Sequence, residues 1–207
     1  VPITAKLVAD LISAAGTHRV LTLDLHAAQI QGFFKIPVDN LYATPVLLDY
    51  FEKKKLKKLV IISPDPGGVE RVRAFAKRIK ASLALVDKRR PAANVASVMN
   101  IIGEVEDRSV IILDDMIDTG GTIAGVVKAL KEKGSRDIYA ACSHGVLSGS
   151  AVEMIEQSEL KELVITNSIN LPEEKKSKKI TVLSVAELLG EAIKRIHKET
   201  SVSTLFV

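Results

Sequence analysis

The sequence predicts an α/β fold with a central parallel sheet flanked by helices. Short apolar runs such as residues 59–63 and 110–113 are rich in β-branched residues and do not alternate with polar ones. This pattern is typical of strands buried on both faces of a parallel sheet. Segments between the runs, such as residues 69–79, repeat apolar residues at helical spacing, which predicts helices that pack on the sheet.

The predicted elements alternate along the chain. A first helix spans residues 3–15 and ends near Gly16, and Thr44 with Pro45 opens a second helix as an N-cap followed by a first-turn proline. Residues 100–107 are predicted to lead back to the sheet as an extended or hairpin-like segment. Residues 143–149 are predicted to be a loop, and the lysine-rich residues 167–179 to be an exposed loop. Strands are predicted at residues 19–25, 59–63, 83–87, 110–113, 137–142, 162–166 and 180–183, and further helices at residues 69–79, 122–130, 152–155 and 185–196.

Composition narrows the classes of partner. With 207 residues and 47% hydrophobic content, the chain can bury a sizeable core. A net charge of +4 with only 4% aromatic residues argues against a nucleic-acid surface and favours small anionic ligands. No apolar run approaches the roughly 20 residues that cross a bilayer, so no membrane partner is expected. The single cysteine, Cys142, lies in an apolar run, which predicts a buried thiol and a cytoplasmic location.

The segment VIILDDMIDTGGT, residues 110–122, carries the strongest chemical signal. Asp114, Asp115 and Asp118 crowd together after a predicted strand, where their repulsion needs a cation or ligand hydroxyls as compensation. Gly120 and Gly121 then lead into a helix whose first N–H groups can bind a phosphate. The carboxylates can accept hydrogen bonds from sugar hydroxyls or hold hydrated Mg²⁺, so a sugar phosphate is predicted. The alternative is an ordinary tight βα turn.

Two other predicted strands also end in polar residues. Residues 59–63 are followed by Asp65, Gly67 and Gly68 at a helix start, which predicts a second anion site or, alternatively, a capping aspartate. Residues 19–25 are followed by His26, with Asp24, Gln29 and Gln31 nearby. Ligands of parallel α/β sheets bind at the carboxyl ends of strands, although a single histidine there can also be structural.

A cationic segment follows the strand predicted at residues 83–87. Lys88, Arg89 and Arg90 precede some twenty residues of weak periodicity, which predicts a flap that orders on binding. Lysine and arginine stabilise the charge of a transferring phosphoryl group, and a closing loop can deliver them while excluding water. The alternative is a solvated charge run at the surface.

These motifs resemble those of one family. DDMIDTGGT resembles the phosphoribosyl-pyrophosphate (PRPP) loop of type I phosphoribosyltransferases, in the version found in the ribose-phosphate pyrophosphokinases, or PRPP synthetases. DLHAAQIQGFFKIPVD, residues 24–39, and SPDPGG, residues 63–68, resemble two further segments of that family. The resemblance covers the chain from Pro2 to Phe206, but this sequence lacks a substantial N-terminal portion that family members carry.

The resemblance implies specific residue roles. Lys88 and Arg90 match the catalytic residues of the flexible loop, and His26 and Asp65 match contacts of Mg²⁺ and ATP. Mg²⁺ prefers oxygen ligands, so His26 acting as a donor to a phosphate oxygen stays open. The glycines Gly67 and Gly68 match a pyrophosphate loop of the ATP site. Ribose 5-phosphate would be bound by Asp114, Asp115, Asp118, Thr119, Gly120, Gly121 and Thr122.

The implied activity is transfer of the diphosphoryl group of Mg·ATP to the anomeric hydroxyl of ribose 5-phosphate, giving PRPP and AMP. The implied partners are ATP and ribose 5-phosphate, phosphate or ADP as effectors, and further copies of the chain in an assembly of the hexamer-of-dimers type. The alternatives are a PRPP-consuming phosphoribosyltransferase, a non-catalytic PRPP synthetase-associated subunit and an inactive fragment.

The resemblance also implies a division into domains. Residues 1–41 would be the last part of an N-terminal phosphoribosyltransferase-like domain, of which they are a remnant. Residues 42–184 would form a complete C-terminal domain of the same type, and residues 185–207 a helix that returns to the N-terminal domain. Without the preceding strands, the helices at residues 3–15 and 185–196 would each expose an apolar face, and the chain would self-associate through those faces or be marginally soluble.

Overall fold

The computed structural model describes residues 3–89 and 98–205. The helices are α1 Thr4–Ala14, α2 Thr44–Lys54, α3 Val69–Ile79, α4 Gly121–Glu132, α5 Ala151–Gln157 and α6 Ala186–His197. The strands are β1 Val20–Leu23, β2 Val38–Leu41, β3 Leu59–Ser63, β4 Ser82–Arg89, β5 Val98–Ile102, β6 Ser109–Leu113, β7 Met116–Ile117, β8 Ile138–Ala141, β9 His144–Gly145, β10 Glu162–Thr166 and β11 Ile180–Leu183.

The chain divides into two compact units. The small unit comprises residues 1–43 and 186–207, and the large unit comprises residues 44–185. In the small unit, β1 pairs with β2 in parallel, and α1 and α6 belong to the same unit. Asp24 follows β1 with a left-handed backbone, and its buried carboxylate accepts a hydrogen bond from the Ala43 amide at 2.7 Å. Asp24 therefore has a structural contact that joins the ends of both strands.

The large unit is built on a seven-stranded sheet in the order β11-β10-β8-β6-β3-β4-β5. All neighbours are parallel except β4 and β5, which are antiparallel. Every residue of β6 is buried, because apolar clusters cover both faces of the sheet. Residues of α4 and α5 pack on one face, and residues of α2 and α3 pack on the other. The predicted α/β fold with a central, mostly parallel sheet is confirmed.

Three local predictions are corrected. Strand β4 continues to Arg89, beyond the predicted end at residue 87. The weakly periodic segment after Lys88 includes β5, which pairs antiparallel with β4 and overlaps the hairpin-like segment predicted at residues 100–107. The loop predicted at residues 143–149 contains β9, which pairs with the two-residue strand β7. The loop predicted at residues 167–179 is not wholly exposed, since Lys175 and Lys179 are half-buried and donate hydrogen bonds to backbone carbonyls.

The helices of the described residues are too short or too polar to cross a bilayer.

Candidate functional site

The carboxyl ends of β3 and β6 open into a common cavity. Because these two strands are parallel neighbours, the residues that follow them are brought to the same edge of the sheet. The cavity has a volume of about 200 Å³. Asp65, from the loop after β3, lines the cavity together with most of the aspartate and glycine segment that follows β6. The lining residues from that segment are Asp114, Met116, Ile117, Asp118, Thr119, Gly120, Thr122 and Ile123.

The turn before α4 has the geometry of an anion site. Gly120 has φ of 78°, in the left-handed region, and a Cβ there would lie 3.3 Å from the Ala151 backbone. Glycine is therefore required at this position by both its backbone angle and its neighbour. Gly121 opens α4, and the first N–H groups of a helix lack acceptors within the helix. Thr119 and Thr122 are exposed beside them, so the turn offers donors to the cavity.

Asp114 and Asp115 face different surroundings. Asp115 is 3% exposed, and one of its carboxylate oxygens lies 3.2 Å from the Arg71 guanidinium of α3. The Asp114 carboxylate lies 3.8 Å from the same guanidinium, accepts a hydrogen bond from the Asp115 amide at 2.8 Å and lines the cavity. Arg71 therefore compensates Asp115 more directly, whereas Asp114 is the carboxylate offered to a ligand.

Burial raises the pKa of Asp114 to about 7, and the adjacent Asp115 and the charge of Asp65 add to the increase. The hydrogen bond from the Asp115 amide acts in the opposite direction. A carboxylate that is costly to ionise in a cavity shared with another acid is stabilised by any cation or hydroxyl donor that enters. The electrostatics of the cavity thus favour either a metal ion or a ligand that carries hydroxyl groups.

Asp65 has two roles in the structure. Its Oδ1 accepts a hydrogen bond from the Gly68 amide at 3.0 Å and so caps the short 3-10 turn Pro66–Gly68, as the alternative interpretation predicted. It also lines the cavity with Asp114. A Cβ on Gly68 would lie 2.7 Å from the Ser63 hydroxyl, so a larger residue here would displace that hydroxyl. Gly67 and Gly68 are outside the cavity lining, and their predicted contacts with ATP stay predictions.

The remaining predicted residues are spread more widely. Lys88 lies near the end of β4, paired in backbone register with Met99, and Arg90 lies outside the described residues. His26 is exposed in the small unit, whereas the cavity belongs to the large unit. Asp118 is exposed and lines the cavity, and Gly121, the first residue of α4, follows the lining residue Gly120. Their predicted roles in binding and catalysis stay predictions.

The carboxylates of the cavity fit the type of Mg²⁺ site in which the protein supplies only one or two ligands. Over residues 3–89 and 98–205, no group of three or more His, Cys, Asp or Glu residues is placed to hold a metal ion. Mg²⁺ in such sites takes one or two carboxylates and completes its shell with water and substrate phosphates. Asp65 and Asp114 supply two carboxylates to one cavity, and a cation would offset the burial and the carboxylate repulsion that together raise the pKa of Asp114.

A larger cavity, of about 410 Å³, lies at the opposite ends of the strands. Its lining includes four cations, Lys55, Lys58, Lys80 and Arg108. These residues follow the C-termini of α2 and α3 or precede β3 and β6. Cations are favourable near helix C-termini, which accounts for much of this charge without a ligand. The smaller cavity is the better candidate because it alone of the two combines carboxylates with a helix N-terminus.

Sequence reasoning missed Arg71 and Ser148. Arg71 lies on α3 and neutralises the aspartates of another loop, and the Ser148 hydroxyl donates to Asp118 Oδ1. The crowding of three aspartates was a signal that a cation must lie nearby, but it did not identify which of 29 lysines and arginines supplies it. No local pattern marks Ser148, because its contact depends on the pairing of β7 with β9.

Comparisons with known proteins agree with the motifs. The chain is 60% identical over 205 residues to a ribose-phosphate pyrophosphokinase of Bacillus cereus, and 58% identical to one of Bacillus subtilis. These matches cover 99% of the chain and 65% of each relative, so the chain spans about two thirds of their length. The crystal structure of phosphoribosylpyrophosphate synthetase from Mycobacterium smegmatis matches with a TM-score of 0.90 and 38% identity, over 96% of this chain and 65% of that one.

A sequence model of one protein family matches more than half of the chain. The model of the phosphoribosyl synthetase-associated domain matches residues 89–207, which include the aspartate and glycine loop. The predicted phosphoribosyltransferase-like α/β architecture is confirmed by the solved relative. The chain belongs to the family of the phosphoribosyl synthetase-associated domain and is similar to the PRPP synthetases, as its motifs predicted.

Proposed function

We propose that this protein is a ribose-phosphate diphosphokinase, which transfers the diphosphoryl group of Mg·ATP to the anomeric hydroxyl of ribose 5-phosphate to give PRPP and AMP. The single observation that carries the proposal is the cavity in which Asp114 and Asp118 adjoin the Gly120 turn at the start of α4. Such a cavity offers hydroxyl acceptors and phosphate donors side by side. The similarity to ribose-phosphate pyrophosphokinases supports the choice of substrate.

The turn from Asp118 to Thr122 is assigned the 5-phosphate. Its backbone N–H groups and threonine hydroxyls are donors, and the positive end of the α4 dipole favours the negative charge. Asp114 and Asp115 are assigned the ribose hydroxyls. An ionised carboxylate accepts hydrogen bonds from such hydroxyls, and a protonated one can also donate a hydrogen bond to them. Asp114 would make the contact from the cavity, and Asp115 would orient the pair through Arg71.

The second half of the proposed reaction concerns ATP. His26, Asp65, Gly67 and Gly68 are assigned to ATP, and Lys88 and Arg90 to the charge that develops on the transferring group. Asp65 and His26, with Asp114 as a further candidate, would hold Mg²⁺. When bound, the ion neutralises phosphate charge and orients the phosphates. No side chain need act as a nucleophile, because the sugar hydroxyl attacks and positioning supplies most of the rate.

We further infer the setting in which this activity operates. Residues 1–41 and 185–207 are assigned to an N-terminal domain, and residues 42–184 to a C-terminal domain. The match to the solved relative covers 65% of that relative's length. A cytoplasmic homo-oligomer, with phosphate or ADP as effectors, is the setting in which such an enzyme would act.

The proposal is tested by incubating the purified chain with ribose 5-phosphate, ATP and Mg²⁺ and measuring AMP and PRPP by chromatography. Lys88→Ala is expected to reduce AMP formation by at least about 100-fold, because it removes the charge assigned to the transferring group. Lys128→Ala, an exposed substitution on α4, is the matched control and should leave the rate unchanged.

Calorimetric titration with ribose 5-phosphate separates sugar binding from turnover. Binding without AMP formation would assign the sugar-phosphate site to this chain and the ATP site to a longer protein. Absence of ribose 5-phosphate binding, with a folded chain, would overturn the proposal. Formation of PRPP-dependent nucleotide from a free base, in place of AMP from ATP, would identify a phosphoribosyltransferase instead.

A further inference from the structure

A second loop forms hydrogen bonds with the backbone of the aspartate and glycine segment. We call residues 144–148 the bracket. Its β9 part pairs with β7, in a register that joins Met116 to His144 and Ile117 to Gly145. The amides of Val146 and Leu147 both donate to the Ile117 carbonyl, at 3.0 and 3.1 Å. The backbone just before the phosphate-binding turn is therefore held by the bracket through several consecutive hydrogen bonds.

Ser148 contacts Asp118 twice. Its amide donates to the Asp118 carbonyl at 3.0 Å, and its hydroxyl donates to Asp118 Oδ1. Asp118 lines the cavity, but Ser148 is absent from the lining. The hydroxyl bond holds the carboxylate in one orientation and takes up part of its negative charge. A phosphate in the same cavity would consequently meet less repulsion from Asp118.

The bracket is in turn held by contacts with Lys175 and with β10. Leu147 is fully buried in the core although its φ of 48° lies in the left-handed region, which is strained for a bulky residue. Such strain persists only where the surroundings determine the conformation. Those surroundings include the Lys175 ammonium, which donates to the Leu147 carbonyl at 2.7 Å. A Cβ on Gly145 would lie 2.7 Å from Ile165, so the bracket also fits closely against β10.

We propose that the bracket positions the phosphate-binding turn, and that Ser148 and Lys175 are positioning residues for the sugar-phosphate site. Ser148 acts directly on Asp118, and Lys175 acts through Leu147 and Ile117. The consequence for ribose 5-phosphate rests on the proposed function. The ordering of residues 117–122 by the bracket does not, so the two can be tested separately.

Hydrogen–deuterium exchange of the 207-residue chain without ligand tests the ordering. Ser148→Ala and Lys175→Met are expected to speed amide exchange in residues 117–122 by about fivefold, because each removes one hydrogen bond of the support. Exposed neighbours provide the controls: Ser150→Ala and Lys176→Met should leave that exchange unchanged. Unchanged exchange in both Ser148→Ala and Lys175→Met would overturn the proposal, whatever the binding data show.

Calorimetric titration with ribose 5-phosphate tests the consequence for the site. Ser148→Ala should weaken binding about fivefold, and the effect should disappear in the Asp118→Ala background, which has no acceptor for the Ser148 hydroxyl, if Ser148 acts through that carboxylate. An equal loss in both backgrounds would contradict positioning through Asp118. If the unaltered chain fails to bind the sugar while the exchange results hold, the proposed function fails and the bracket stands.

Discussion

Asp114 illustrates a residue whose placement costs stability in the free protein. Its carboxyl group is desolvated beside Asp115 and Asp65, which raises its pKa to about 7. An acid whose pKa is higher in the folded than in the unfolded chain stabilises the fold at low pH, when it is protonated. That contribution is lost as the pH rises toward the folded value of about 7. Retaining an acid here is consistent with a ligand or cation that offsets the cost.

We therefore expect Asp114→Asn to stabilise the chain without ligand. The amide can keep the hydrogen bond from the Asp115 N–H while removing the charge. The gain should grow as the pH rises from about 4 to about 7 and then level off, reaching on the order of 1–2 kcal/mol. Urea denaturation at pH 5 and pH 8 measures it. A variant that is less stable than the unaltered chain at pH 8 would contradict this explanation.

Gly120 and Gly121 form a matched pair at the residue scale. Gly120→Ala places a Cβ in a left-handed conformation 3.3 Å from Ala151, so we expect a loss of about 1–3 kcal/mol in unfolding free energy. In Gly121→Ala the new Cβ would find its nearest neighbour at 4.0 Å, and the loss should be within about 0.5 kcal/mol. Thermal denaturation of both variants checks the difference, and equal losses would count against the described turn.

At the scale of elements, a polar network ties α2 to the edge of the large sheet. Glu162 on β10 lies 2.7 Å from the Lys54 ammonium and accepts hydrogen bonds from the Tyr50 and Thr181 hydroxyls. Burial alone would raise the pKa of Glu162, but the hydrogen bonds from Lys54, Thr181 and Tyr50 prevail and hold it below its ordinary value. One carboxylate thus joins a helix and two adjacent strands.

Glu162→Gln is expected to lower the unfolding free energy at pH 7 by about 1–2 kcal/mol, because the charged acceptor of three donors is lost. A lowered pKa stabilises the fold above the unfolded value of 4.5, and this contribution disappears as the pH falls through the folded value. The difference between the variants should therefore vanish in acid denaturation profiles. Glu174→Gln, at an exposed position, is the control. A pH-independent loss would point to altered packing instead of charge.

At the scale of the whole molecule, α1 exposes an apolar surface. Leu7 and Leu11 are 59% and 61% exposed, and Ile3 extends the same surface. On α6, Ile193 is exposed while Ala192 is buried. The curated relatives are longer by about a third of their length, and apolar patches of this kind mark interaction surfaces.

We expect the chain to self-associate through α1 as its concentration rises. Leu11→Glu should shift the distribution toward the monomer, because it places a charge in the apolar surface. Ser150→Glu adds the same charge at an exposed polar position of the large unit and should have no effect. Size-exclusion chromatography with light scattering measures the masses. A monodisperse monomer at high concentration would contradict the expectation.

The sequence by itself determined most strands of the large sheet and which types of residue follow them. The runs at residues 59–63 and 110–113 are apolar throughout because both faces of the sheet are covered, and that pattern is local. The sequence also placed Gly120 and Gly121 at the start of a helix, and the structure adds that Gly120 has the left-handed backbone that favours glycine.

Only the tertiary structure decided which side chains meet. The pairing of Arg71 with Asp115, the support of Asp118 by Ser148 and the approach of Lys175 to Leu147 join residues 28 to 44 positions apart. Such contacts depend on which strands are neighbours, which sequence periodicity does not encode. The antiparallel strand β5 was anticipated only in part, by the hairpin-like segment predicted at residues 100–107, because an edge strand lacks the double-sided burial that makes a strand recognisable.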